Sequence, residues 1–181
     1  MTATEEKDKI YIVLSQTGSI VSRILKIVTG AKYNHSSISL SEDLDTMYSF
    51  GRIQTYNPVW GGFVQESVRY GSFKRFSNAE VVVIEIPVEK EVYLKMQEYL
   101  DEMYSEKRKY KYNYIGLFLA AIPICYHSEN HYYCSEFVRE ILIRFHIAQK
   151  EQFEGVVKPI QFLENFQEQV IYSGKLKNYA K

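Results

Sequence analysis

Two short segments of the sequence contain the residue types of a thiol nucleophile and its base. The later segment, YYCSEFVR, contains Cys134, and the earlier one, YNHSS, contains His35. A thiol attacks carbonyl carbon as its thiolate, and near neutral pH it needs a base or an imidazolium partner to do so. The two segments therefore predict the chemistry of a cysteine hydrolase or acyltransferase.

The residues after Cys134 have the spacing of an amphipathic helix. Apolar residues recur on one face of it: Phe137, Val138, Ile141, Leu142 and Phe145. Cys134 lies at the N-terminal end of this face, where unpaired N–H groups and the helix dipole stabilise a thiolate and lower the pKa of the cysteine. The same N–H groups can bind the oxyanion of a tetrahedral intermediate.

The histidine lies in the stretch HSSISL, which alternates as a half-buried strand does. Ile38 and Leu40 fall on one face, while His35 falls on the other with Ser37 and Ser39. The imidazole should therefore project from a face of small polar side chains.

The other elements mix strands and helices without regular alternation. Strands are predicted at 10–14, 46–50 and 79–88, the last ended by Pro87, with an extended segment at 170–172. Helices are predicted at 19–28, 89–105, 114–121 and 134–145, with a short one after Pro159, and NPVWGG at 57–62 is predicted to be a loop. This order favours an α+β fold in a single domain spanning 1–181.

Charge and hydropathy argue against several kinds of partner, although a local basic patch at 107–111 remains an alternative. Lys+Arg and Asp+Glu both number 22, so net charge gives no reason to expect nucleic acid or an anionic membrane. The polar N-terminus lacks the apolar segment of a secretory signal, and the longest apolar run, 114–126, is too short to span a bilayer. We therefore expect a cytoplasmic protein without a membrane span, its two cysteines being free thiols.

The two segments together resemble a known family. The strings YNHSSISL and YYCSEFVREIL are similar to the circularly permuted papain-like cysteine hydrolases of the NlpC superfamily, particularly the YiiX/YaeF-like group, which is related to lecithin retinol acyltransferases. In that permuted group the histidine strand precedes the cysteine helix, as it does here. The similarity extends to the opening strand and to the TGS before the histidine. It implies an antiparallel, bent sheet packed against helices.

The resemblance also implies roles for individual residues. Cys134 would be the nucleophile and His35 the general base. Relatives place a glutamate or histidine on the strand that follows the histidine strand, where it orients the imidazole. Here that strand reads TMYSF, so Ser49 is the best-aligned candidate, with Tyr48 next and Glu66 as an alternative from a loop.

Four aromatic residues are candidates for binding the substrate. Tyr33 and Tyr133 flank the histidine and the cysteine, Tyr48 lies on the following strand, and Trp60 stands beside two glycines. The resemblance implies a small-molecule, peptide or acyl-bearing substrate whose amide or ester bond is cleaved through a thioester, without a cofactor or metal. A lipid acyltransferase or esterase, or a non-catalytic ligand-binding protein, remains an alternative.

A zinc site is the main competing interpretation. Cys125, His127, His131 and Cys134 have the ligand types for zinc and lie within one short segment. Their spacing is not the paired pattern of a structural zinc site, and a zinc-bound Cys134 would be diverted from its helix.

Overall fold

The protein is built around one open sheet in a mixed α+β fold. The computed structural model describes residues 7–16, 32–54, 60–119 and 129–179, with the backbone alone at 117–119. Its strands are β1 (Asp8–Gln16), β2 (His35–Ser39), β3 (Met47–Arg52), β4 (Gly61–Glu66), β5 (Glu80–Val88), β6 (Lys111–Tyr112), β7 (His131–Tyr132) and β8 (Val170–Lys175). Its helices are α1 (Gly71–Arg75), α2 (Lys90–Ser105), α3 (Tyr114–Leu119), α4 (Cys134–Arg144), α5 (Pro159–Asn165) and α6 (Leu176–Tyr179).

The sheet is largely antiparallel. Across the described residues, its eight strands follow the order β7-β6-β4-β3-β2-β1-β5-β8, and the short pair of β6 and β7 is parallel. Strands β1 to β4 lie side by side in chain order. The chain then returns to the other side of β1, where β5 pairs with it. This topology places β2, β3 and β4 side by side.

Apolar residues are buried on both faces of the sheet. On one face Ile12 of β1 and Phe50 of β3 join the buried stripes of α2 and α4, including Leu100 and Phe137. On the other face Val13 of β1 belongs to a smaller cluster with residues of α1 and α6. Because β1 is buried on both sides, its apolar residues form a continuous run.

Several predicted elements are confirmed. The strands predicted at 10–14, 35–40 and 46–50 are β1, β2 and β3, and the helices predicted at 89–105 and 134–145 are α2 and α4. Their apolar periodicity is strong because each buries one or both faces against the large cluster. The helix predicted at 19–28 lies outside the described residues, as does the end of the one predicted at 114–121.

The loop predicted at 57–62 is wrong at its end. Gly61 and Gly62 begin β4, and Glu66, expected in a loop, is the last residue of that strand. A Cβ at Gly61 would come within 2.9 Å of the Tyr112 Cβ, so glycine is required where β6 crosses closely. Glycines therefore signal close backbone packing here rather than a loop.

The strand predicted at 79–88 is β5, and Pro87, predicted to mark its end, is its last residue but one. The residue pairs with Lys9 of β1, and β5 continues to Val88. β8 pairs with β5 only as far as Ile84. Beyond that point no strand among the described residues pairs with this side of β5, and such an edge tolerates a residue without an N–H.

Candidate active site

The start of β2 holds His35 between neighbouring strands. Its register partner on β1 is Ser15, and the N–H of Asn34 donates to the Ser15 carbonyl oxygen at 3.2 Å. The neighbouring Ser36 and Ser37 are fully buried. Small side chains on β2 thus leave room for the imidazole, of which only 15% of the surface is exposed.

Helix α4 holds Cys134 at its first position. The helix is fixed from its buried face, where the Phe137 ring lies 5.3 Å from the rings of both Phe50 and Phe63. Its first turn is capped from within, because the Tyr133 N–H points to the Glu136 carboxylate at 3.4 Å. Cys134 is consequently buried at a helix start, as the sequence predicts.

The tertiary structure brings Cys134 to the beginning of β2. Its sulfur lies 3.9 Å from the Asn34 carbonyl oxygen and hydrogen bonds with the side chain of His35. The backbone N–H groups of Ser36 and Ser135 also donate to the sulfur. The thiol is therefore surrounded by groups that favour its charged form.

The third member of the site is Glu66, at the end of β4. Its Oε2 accepts a hydrogen bond from His35 Nε2 at 2.8 Å. The same oxygen accepts from Ser49 Oγ at 2.6 Å and from Ser37 Oγ at 2.8 Å. Since Nε2 is engaged by the carboxylate, Nδ1 is the ring nitrogen left for Cys134.

The charges of these three side chains support one another. Burial by itself raises the pKa of Cys134, but the hydrogen bond and charge of His35 outweigh it and bring that pKa below its ordinary 9.0. Burial by itself lowers the pKa of His35, yet Glu66 and Cys134 hold that pKa well above 6.5. Burial likewise raises the pKa of Glu66, and the His35 charge with three hydrogen bonds brings it below 4.5.

This arrangement can generate a thiolate paired with an imidazolium. In such a pair the sulfur attacks an electrophilic carbon and the imidazolium supplies the proton for the leaving group. N–H groups near the sulfur can also stabilise a developing oxyanion. The geometry is that of a nucleophile, an acid–base group and an orienting carboxylate.

The residues predicted to orient the imidazole occupy different places. Ser49, the first candidate, donates to Glu66, and the group that accepts from His35 is Glu66 itself. Tyr48 points to the opposite face of the sheet, where its hydroxyl donates to Asp101 at 2.8 Å and its ring stacks with Phe63. The Glu66 side chain reaches His35 across β3, where Ser49 donates to the same carboxylate oxygen.

The predicted substrate-binding residues are not brought together as one pocket wall. Tyr33 and Tyr133 are buried beside the two reactive residues, while Tyr48 lies in the large apolar cluster. Trp60 is 63% exposed at the start of β4. Tyr33 and Tyr133 thus support the site from within, and Trp60 stands at the surface.

The sequence interpretation missed two residues near the reactive pair. Ser37 contacts both His35 Nε2, at 3.2 Å, and Glu66, and its place on the His35 face was visible in the alternation of β2. Tyr112 lies close to the sulfur: burial, and next the charge of Cys134, raise the pKa of its hydroxyl well above the ordinary value. No signal in the sequence distinguished it among 16 tyrosines.

The competing zinc ligands are only partly described. His131 begins β7 and Cys134 begins α4, while Cys125 and His127 lie outside the described residues. Within the described ranges, no group of three or more His, Cys, Asp or Glu side chains has the geometry to hold a metal ion.

In the same part of the chain, no helix has the length and apolar character needed to cross a membrane.

Comparison of the chain with family models, with curated proteins and with solved structures found no match. The resemblance to permuted papain-like enzymes therefore stays a prediction from the two motifs, and the chemistry of the site is inferred from its own geometry.

Proposed function

We propose that the protein is a thiol hydrolase of the amidase or peptidase type, with a permuted papain-like arrangement of its active site. Cys134 is the nucleophile, His35 the acid and base, and Glu66 the residue that orients the imidazole. The observation that carries the proposal is the continuous chain of hydrogen bonds from Cys134 through His35 to Glu66.

The proposed reaction proceeds in two halves. The Cys134 thiolate attacks the carbonyl carbon of an amide or ester, forming a C–S bond and a tetrahedral oxyanion. The leaving amine or alkoxide takes the proton of His35 as its bond to carbon breaks, which gives a thioester. Water then attacks the thioester, His35 accepts the water proton, and the acid product departs as the thiol is regenerated.

An acyl-bearing substrate is the second candidate, and one feature favours it. Large apolar side chains are exposed near the start of β4: Ile53, Trp60, Tyr114 and Ile115. The Ile53 N–H donates to the Trp60 carbonyl oxygen, and Tyr114 packs against Gly61, so these residues are neighbours. The Tyr114 ring lies 4.7 Å from that of Tyr112, on whose pKa the charge of Cys134 acts, so this apolar surface is connected to the thiol and suits an acyl chain.

The proposal is tested by the reactivity of the thiol. Iodoacetamide at pH 6 should alkylate Cys134 on the order of tenfold or more faster than a model thiol, because a thiol of ordinary pKa is almost wholly protonated there. His35→Ala should remove most of this advantage. Site-resolved mass spectrometry separates Cys134 from Cys125, the other cysteine in the chain.

Labelling with thiol-reactive probes then identifies the substrate type. Peptidyl and fatty-acyl probes are compared on the wild-type protein and on Cys134→Ala. Labelling that depends on Cys134 and favours the peptidyl probe supports the amidase, whereas preference for the acyl probe supports the second candidate. Equal labelling of wild type and Cys134→Ala, or slow alkylation of Cys134, would contradict the proposed function.

A further inference from the structure

The Glu66 carboxylate is held by more than the histidine. Ser37 Oγ and Ser49 Oγ donate to the same oxygen, Oε2, that accepts from His35 Nε2. Ser37 and Ser49 are fully buried, so their hydroxyl groups cannot be replaced by bulk water without a rearrangement of the sheet. Three donors thus converge on one carboxylate oxygen that is itself largely removed from solvent.

The two serines come from different strands. Ser37 lies on β2 with His35, and Ser49 lies on β3, between β2 and β4. Together they fix the carboxylate of β4 to β2 and to β3. We propose that Ser37 and Ser49 are positioning residues that hold the Glu66 carboxylate against His35, so that the imidazole carries its proton on Nε2 and presents Nδ1 to Cys134.

Ser37 has a second role in this arrangement. Its oxygen lies 3.2 Å from His35 Nε2 while its hydroxyl hydrogen is donated to Glu66. The serine oxygen is then left as an acceptor, and the Nε2–H is shared between Glu66 and Ser37. A proton with two acceptors at Nε2 disfavours the tautomer in which Nδ1 carries it.

The charged and titratable groups that act on His35 come from three elements. In the described part of the chain they are Glu66 of β4, Cys134 of α4 and, acting on the sulfur, Tyr112 of β6. Ser49 acts only through Glu66, whereas Ser37 acts through Glu66 and also directly on His35 Nε2. When either hydroxyl is lost, the carboxylate is less firmly ionised and placed, the imidazolium is less stabilised, and the thiolate forms at a higher pH.

The inference rests on the proposed function, and it is tested without a substrate. The rate of iodoacetamide alkylation at Cys134 is measured against pH for the wild type, Ser37→Ala, Ser49→Ala and the double variant. Each single variant should move the midpoint of the profile upward by about half a unit to one unit, as expected for loss of a hydrogen bond to a charged group. The double variant should move it further.

Ser15→Ala is the matched control. Ser15 is fully buried and is the register partner of His35 on β1, but its Oγ has no hydrogen-bond partner among the described residues. Ser15→Ala also removes a buried serine hydroxyl on a strand next to His35, and it should leave the midpoint of the alkylation profile unchanged. Ser49→Thr keeps a hydroxyl group and should keep the wild-type midpoint of the alkylation profile. The urea unfolding midpoint of this variant reports whether the buried site accommodates the extra methyl group.

The tautomer gives an independent reading that does not depend on the reactivity of the thiol. Nitrogen-15 NMR of the His35 ring should show protonated Nε2 in the wild type and in Ser15→Ala, with Nδ1–H appearing in the double variant at a pH where the ring is neutral. If Ser37→Ala and Ser49→Ala keep the wild-type midpoint and tautomer, the serines do not position Glu66. If the wild-type thiol itself reacts slowly, the proposed function fails instead.

Discussion

At the scale of single residues, the site depends on burying a carboxylate without neutralising it. Glu66 exposes only 15% of its side chain, and removal from water on its own favours the protonated acid. The charge of His35 and three hydrogen bonds outweigh that cost, so the pKa of Glu66 lies below 4.5. An ionised Glu66 in turn raises the pKa of His35, and the hydrogen bond and charge of His35 lower the pKa of Cys134.

Replacement of Glu66 by glutamine removes this charge while keeping the shape of the side chain. We expect Glu66→Gln to raise the pH midpoint of Cys134 alkylation by about one unit or more, because an opposite charge at hydrogen-bond distance shifts a pKa by that amount. Glu85→Gln is the control: Glu85 pairs with Lys9 at 2.8 Å, away from the reactive residues, and its loss should not move the midpoint. An unchanged midpoint in Glu66→Gln would remove Glu66 from the chain of charges.

At the scale of elements, the site exists because α4 and β2 meet at their first residues. The helix is held by the contacts of Phe137 with Phe50 on β3 and Phe63 on β4. These rings fix the height of α4 over the sheet. The position of the sulfur therefore depends on apolar packing as well as on hydrogen bonds.

Phe137→Leu should loosen this packing without unfolding the protein. We expect the free energy of unfolding to fall by roughly 1 kcal/mol, since a smaller side chain leaves part of the ring's volume empty. The alkylation rate of Cys134 at pH 6 should fall with it, because the sulfur is less well placed. Urea unfolding and the alkylation rate are measured on the same preparation.

Phe162→Leu is the matched control for this effect. Phe162 is fully buried on α5 and packs against Phe153 at 5.3 Å. Its replacement should cost similar stability and leave the alkylation rate unchanged. Equal losses of rate in the two variants would mean that general stability, not the placement of α4, determines thiol reactivity.

At the scale of the whole molecule, the same charges couple the active site to folding. The folded-state pKa of Glu66 lies below 4.5, so its contribution to stability is present above pH 4.5 and is lost as pH falls through the folded value. The folded-state pKa of His35 lies above 6.5, so its contribution is complete below pH 6.5 and is lost as pH rises through the folded value. The pair therefore stabilises the fold most between pH 4.5 and 6.5.

This window is best measured in the Cys134→Ala background, because the thiolate contributes with the opposite dependence on pH. In that background Glu66→Gln should destabilise the protein most between pH 4.5 and 6.5, and progressively less as pH falls towards 3 or rises towards 9, through the folded-state pKa of Glu66 or of His35. Urea unfolding at about pH 3, 5.5 and 9 gives the three differences. A difference that stays constant over this range would contradict an ion pair between His35 and Glu66.

The sequence was sufficient for the elements that bury an apolar face. The runs in β1 and the stripes of α2 and α4 follow from local periodicity, since a strand or helix that packs on a core must show it. The placement of Cys134 at a helix start also follows from this pattern. By contrast, the glycines at 61 and 62 predicted a loop where β4 begins, because the close approach of β6 is not visible in the local sequence.

For the candidate site, the sequence by itself predicted Cys134 and His35 from their two motifs together, and the periodicity around each predicted the helix and the strand that carry them. Only the tertiary structure decided which residue accepts the hydrogen bond from His35 Nε2. Ser49 and Glu66 are both near β2 in the sheet, yet the choice depends on strand order, register and the reach of a longer side chain. Such pairing is non-local, and no local periodicity encodes it.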